Sequence, residues 1–199
     1  PEMVERALGA VSVCSVAHAQ GETKSALVLS RSPDALPTYL NDLSAALIDS
    51  AQGELSWPYR HGRPELPIVN WKPVPYTPWS DNVTWTRMGV PALLCMSLPD
   101  RFFHTQLLTP DKTDRRAFRQ AASVLGSAAL ASALAGPGET EGLMRLVASG
   151  GMARLARTAV EALAATDPPG PDAAERIRYL AERDAADLRS ALALLDTAS

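Results

Sequence analysis

The sequence predicts an α/β layer followed by a C-terminal α-helical hairpin, and three observations predict it. Up to about residue 111, short apolar runs alternate with amphipathic ones, as strands alternating with helices do. Beyond that point the chain is Ala-rich, and its apolar residues recur at the 3.6-residue period of helices. All four Trp and most of the 16 Pro lie between Trp57 and Pro110, so composition changes where the pattern changes.

Ala10 to Val16 and Ser25 to Leu29 read as strands: each is short, apolar and bounded by Gly9, Gly21-Glu22 or Ser32-Pro33. Pro37 to Ser50 reads as a helix, with Leu40, Leu43, Leu47 and Ile48 on one face, Pro37 tolerable in its first turn, and Gly53 as a stop. Leu66 to Val69 could form another strand. Pro64, Pro67, Pro73, Pro75 and Pro78 confine extended structure here to an edge or an irregular loop, because proline cannot donate to a ladder. A short helix follows from Asp81 to Met88, capped by Ser80 or Asp81 and ended by Gly89. Val90 to Met96 is a continuous apolar run, the pattern of a strand buried on both faces.

A long helix then starts behind a cap at Asp111 or Thr113. Its expected apolar face is Phe118, Ala122, Leu125 and Ala129, and Gly136-Pro137-Gly138 ends it. Glu141 to Ala165 and Pro171 to Leu195 are two further helices. Gly150-Gly151 is expected to break or kink the first of these, and the run from Asp167 to Pro171 separates the pair. At ~150 residues per typical domain, the 199 residues make one domain and an appendage. The division falls at 1–136 and 137–199.

Composition narrows the function. With 19 Lys and Arg against 22 Asp and Glu, the net charge of -3 provides no basic field for a phosphate backbone, so nucleic acid is not an expected partner. No run approaches the ~20 apolar residues of a membrane span, and no signal-like segment is present, so a soluble chain with a cytoplasmic default is expected. Cys14 and Cys95 lie in apolar runs without CxxC spacing, which favours buried thiols over a disulfide or a Cys-rich zinc site. GxSxG, HExxH, P-loop and GxGxxG motifs are all absent.

Only three histidines can carry imidazole chemistry. His104 stands just beyond the apolar strand, where ligands bind in open α/β sheets; the alternative is a histidine hydrogen-bonded within its own loop. His61 lies among Arg60, Gly62 and Arg63 and reads as a solvated loop residue. Asn82-Val83-Thr84 fits a glycosylation sequon, a short match that arises often by chance. The mixed charges of the last two helices, among them Arg154, Arg157, Glu161, Glu182, Arg183 and Asp187, fit solvated faces or, alternatively, a surface for a partner subunit or a second copy.

The run Ser80-Asp81-Asn82-Val83-Thr84-Trp85-Thr86-Arg87-Met88-Gly89-Val90-Pro91-Ala92-Leu93, with Phe103-His104-Thr105 and the segment Pro110 to Asp114 behind it, resembles the M28 family of zinc-dependent peptidases. Family members read Ser-Asp-His, then an aromatic residue, Gly-Ile-Pro-Ala, and Tyr-His-Thr before an Asp-rich helix start. The resemblance spans roughly residues 10 to 135, matching the C-terminal half of the catalytic domain. It implies a partial α/β/α sandwich of the zinc-peptidase type and, in the complete parent, aminopeptidase-type hydrolysis of a peptide substrate with zinc. By this resemblance His104 matches a zinc ligand, while Asp81, Asn82 and Phe103 match positions on the substrate side of the site.

The differences from the family pattern each remove a polar group: Asn82 stands for His, Phe103 for the oxyanion-donating Tyr, and Leu108 for Asp. The strand expected to end in an Asp ligand has Cys14, Ser15, Val16, Ala17 and His18 instead, with His18 a candidate substitute. The family's His-x-Asp and Glu-Glu segments, the latter carrying the general base, would fall ahead of Pro1. A zinc pair needs about five donors, so weak or no zinc binding and no peptidase activity are expected of this chain. The alternative is a non-catalytic relative acting as a binding or assembly module.

Overall fold

The computed structural model describes residues 4, 6–55, 69–165 and 171–197. In chain order the elements are β1 (Ala10–Cys14), α1 (Gln20–Thr23), β2 (Ala26–Ser30), α2 (Leu40–Leu55), β3 (Trp71–Val74), α3 (Asn82–Arg87), β4 (Ala92–Leu98), a single 3-10 turn (Pro110–Lys112), α4 (Arg115–Leu134), α5 (Pro137–Ala165) and α6 (Pro171–Thr197). The fold is α/β, a four-stranded mixed sheet flanked by helices, with α5 and α6 packed together as a C-terminal hairpin.

The strands lie in the order β1-β4-β2-β3. β1 runs parallel to β4, with Cys14 opposite Met96; β4 runs antiparallel to β2, with Ala26 opposite Leu98; and β2 runs parallel to β3. The two inner strands are the apolar ones. Every residue of β2 is buried, as are the first six of β4, and burying each of Leu27, Leu93 and Leu94 contributes roughly 1.5–3 kcal/mol. The outer strands differ as edges should: Val13 of β1 is 54% exposed, and β3 accommodates Pro73 because an edge needs no second ladder. Of the strand expected at 66–69, residues 66–68 lie outside the described residues. Val69 is buried in a bend ahead of β3.

Two features of α4 correct the sequence reading. Its cap is Asp114, whose Oδ1 accepts from the Arg116 N–H at 2.8 Å, while Asp111 falls within the preceding 3-10 turn and Thr113 just after it. Its buried face is Ala117, Ala121, Val124, Leu125 and Ala128, and Phe118 is 56% exposed. Leu125 is buried as expected, but Phe118, Ala122 and Ala129 sit one position, or 100°, round the helix from the buried Ala117, Ala121 and Ala128. Small residues face the core here because α4 packs against α2, and alanines let two backbones approach closely.

Further corrections fall in α2, which begins at Leu40 and runs through Gly53 to Leu55, and in α5, which starts at Pro137, ahead of the expected Glu141, and runs through Gly150-Gly151 without a break. These glycines are close-approach residues. A Cβ on Gly150 would lie 2.7 Å from Asp42 Oδ1, and one on Gly151 would lie 3.0 Å from the Asp184 Cβ. Between them Arg154 joins the layers: it donates to both carboxylate oxygens of Asp42 on α2 and to Asp184 Oδ1 on α6. Burial alone would lower the Arg154 pKa, but the hydrogen bonds to Asp42 and Asp184 outweigh it and raise the value.

The hairpin also supplies the start of α2. An α-helix leaves its first N–H groups without partners. Here the Thr38 N–H donates to Asp187 Oδ1 at 2.7 Å and the Tyr39 N–H to Ser190 Oγ at 2.8 Å, both from α6, while the Leu40 N–H donates to Thr38 Oγ1. Among the described residues no helix is long and apolar enough to cross a membrane.

Candidate functional site

Because β1 and β4 are parallel neighbours, the chain leaving each emerges at the same end of the sheet. β1 stops where Ser15 takes a left-handed φ of 54°, and its carbonyl accepts from the Ser97 N–H at 3.2 Å. The segment beyond it is then zipped to the start of α4. His18 forms an antiparallel bridge with Thr113, the Ala19 N–H donates to the Lys112 carbonyl, and the Asp114 N–H donates to the Ala17 carbonyl, both at 2.7 Å.

His18 is buried, and its Nδ1 faces Asp100 Oδ2 in a direct pair. The Asp100 side chain is wholly inaccessible, and its other oxygen accepts from the Phe102 N–H at 2.7 Å. One carboxylate therefore holds the imidazole from β1 and shapes the turn out of β4. Asp100 had no role assigned from sequence. The available signal was an acidic residue placed directly after a buried strand.

His104 lies at the exposed tip of that turn. Its φ of 58° is left-handed, a region in which histidine is enriched among non-glycine residues, and its ring stacks on Phe103 with centroids 3.9 Å apart and planes 19° from parallel. Phe102 carries Arg101 over its face at 4.6 Å, with the Lys112 ammonium at 5.8 Å. Lys112 also pairs with Glu22 and, together with Thr109, hydrogen-bonds the exposed Asp111, holding that carboxyl down at about 2. The rim of this end is thus basic and aromatic.

The other residues picked from the sequence sit apart from this pair. Asp81 is exposed and makes no side-chain cap to α3. Asn82 is wholly buried: its Oδ1 accepts from the Ser80 N–H at 3.2 Å, and its Nδ2 donates to the Thr77 carbonyl at 2.9 Å. Its amide is used within its own loop. Among the described residues, no hydrogen bond or ion pair joins Asp81 or Asn82 to Phe103 or His104. Leu108 is half-buried, and His61 lies outside the described residues.

No family model matches the chain. No curated protein matches its sequence either. Among solved structures, the chain is similar to the aminopeptidase from Aneurinibacillus sp. strain AM-1, with a TM-score of 0.45 and 22% identity over 64% of this chain. The aligned part spans 26% of that aminopeptidase, so the chain corresponds to about a quarter of its length.

A zinc pair would need about five donors with a shared carboxylate. Among the described residues no three His, Cys, Asp or Glu side chains are grouped so as to hold a metal ion. His18 directs Nδ1 at Asp100, and His104 is stacked and exposed. The donors described here do not fit a zinc pair.

Proposed function

We propose that the chain is the C-terminal part of an M28-like zinc peptidase whose site end has lost its chemistry, and that this chain alone does not hydrolyse peptide bonds. One observation carries the reading. The two segments that the resemblance assigns to metal binding, the end of β1 and the His104 turn, leave the same end of a parallel strand pair, as joint ligands must. At the junction between them stands His18 with its Nδ1 turned to Asp100 Oδ2, both side chains buried. With Phe103 in place of a phenol, the rim offers no hydroxyl to a developing oxyanion at that position.

Calorimetric titration with zinc, alongside hydrolysis of aminoacyl-nitroanilide and dipeptide substrates with and without zinc, tests the proposal. Weak or undetectable zinc binding and no zinc-dependent cleavage are expected. Tight binding of two zinc ions that is abolished in His104→Ala, or zinc-dependent turnover by the purified chain, would overturn it.

A second reading, a binding or assembly module, is favoured by apolar side chains left in solvent on α4 and on the tail. Leu130 and Leu134 of α4, and Met152, Val160 and Leu163 of α5, are all exposed. Sedimentation velocity across a hundredfold concentration range separates the readings, since a constant monomer mass removes self-association as the use of that surface.

A further inference from the structure

At the opposite end of the sheet lies a cleft that none of this chemistry uses. β2 is antiparallel to β4, so its carboxyl end, level with Leu94, points away from the His104 turn. β2 and β3 are parallel, and the chains leaving them, through Arg31 to Asp34 and through Pro75 to Tyr76, open side by side. Ser30 Oγ ties the two exits, donating to the Pro75 carbonyl at 3.3 Å and accepting from the Thr77 N–H at 2.8 Å. The Arg31 N–H donates to the Val74 carbonyl at 3.1 Å, which fixes Arg31 at the mouth. Arg183 from α6 closes the far wall, and the cleft measures about 520 Å³.

Three arginines converge here, and two are satisfied. Arg154 is spent on Asp42 and Asp184, and Arg183 on Asp34 and Asp184. Arg31 is half-buried, yet among the described residues its guanidinium has neither a carboxylate within ion-pair reach nor a hydrogen-bond acceptor. Burial, with the like charges of Arg154 and Arg183 adding to it, pushes Arg31 below its ordinary pKa; Asp42 and Asp34 only partly oppose this. A desolvated cation without a counterion is costly, and its planar fork matches the geometry of a carboxylate or phosphate.

We propose that this cleft binds a small oxyanion, a carboxylate or a phosphate, on the guanidinium of Arg31 with Arg183 alongside. The prolines that frame the mouth present no N–H of their own, so Arg31 is the principal donor. Asp34 sets a limit. Its carboxylate stands on the wall, held by Arg183 at 3.4 Å and by the Tyr179 hydroxyl at 3.3 Å, and it repels an anion that extends past Arg31. Small anions fit that balance better than extended ones. The site does not depend on the peptidase reading, because the cleft and the His104 turn lie at opposite ends of the sheet.

Calorimetry and thermal unfolding of the intact chain at pH 7, titrated with sodium phosphate, sodium acetate or sodium chloride at matched ionic strength, test the proposal. Saturable binding and a saturable rise in Tm are expected with phosphate or acetate, and none with chloride. Which anion acts assigns the ligand class. Arg31→Gln should bind at least tenfold more weakly, and Arg31→Lys, which keeps the charge and loses the fork, should fall between. A measurement on the unmodified chain guards against a misfolded variant: the saturating anion should slow phenylglyoxal modification of Arg31, read by peptide mass spectrometry. Absence of saturable binding by either anion, an Arg31→Gln response equal to wild type, or unprotected Arg31 would overturn the assignment.

Discussion

Arg154→Met tests whether α2 and the hairpin are joined by a buried ion pair or merely decorated by a surface one. Methionine keeps much of the apolar stem and removes the cation. The Asp42 side chain is 9% exposed, and among the described residues both its oxygens take their hydrogen bonds from Arg154. Asp184 is equally buried but keeps Arg183. The substitution therefore strands one carboxylate, for which roughly 3–5 kcal/mol is expected. In a chain of this size each kcal/mol moves Tm by about 2–4 °C, so a fall of roughly 6–20 °C should be seen by calorimetry, with a matching drop in the urea midpoint. Adding Asp42→Asn to Arg154→Met removes the stranded charge and should recover at least half the loss. A cost for Arg154→Met below about 1 kcal/mol, the range of exposed pairs, would refute the reasoning.

Thermal unfolding of two glycine variants separates packing from helix propensity in α5. Gly150→Ala should destabilise, since its Cβ would sit 2.7 Å from Asp42 Oδ1, whereas Gly142→Ala, with open space around it, should stabilise by about 0.5–1 kcal/mol. Asp114→Ala removes the cap of α4 and should cost about 1 kcal/mol in urea unfolding, while Asp111→Ala should cost far less. In the native chain, iodoacetamide labelling followed by mass spectrometry should mark Cys14 well before Cys95, whose thiol burial pushes up to about 12. A chain ending at residue 136 should lack a cooperative unfolding transition, because it leaves Asp42 without Arg154 and the Thr38 and Tyr39 N–H groups without Asp187 and Ser190. A sharp calorimetric transition from that shorter chain would refute the coupling.

What could be read from the sequence was set by how local each cause is. The continuous apolar run of β4 and the alternation around it follow from burial of a few adjacent residues, so β1, β2, β4 and most of the helices were legible, whereas β3 at 71–74 carried no expected strand. Pro73 spoke for an edge because a missing N–H has one structural consequence. The face of α4 was displaced because periodicity weighs large side chains such as Phe118, whereas the approach of α2 selects alanines. Gly150-Gly151 read as a break because propensity counts only the helix itself; the reason for two missing Cβ atoms is a pair of carboxylates distant in sequence. The same limit hid the pairing of His18 with Asp100 and the capping of α2 by α6. No local pattern encodes a partner that only tertiary packing supplies.

The two ends of the sheet differ in how their polar groups are balanced, and that difference bears on where this chain can still bind anything. At the end carrying the His104 turn, His18 and Asp100 face each other as a buried pair, Asp100 Oδ1 takes the Phe102 N–H, and Asp114 caps α4. Groups already satisfied gain little from a ligand, since binding only exchanges one hydrogen bond for another. At the other end, Arg31 keeps its charge half-buried and unmatched among the described residues. A ligand there relieves a cost the folded chain already carries, so the gain from binding is larger at Arg31 than at His104, although the sequence motif points to His104.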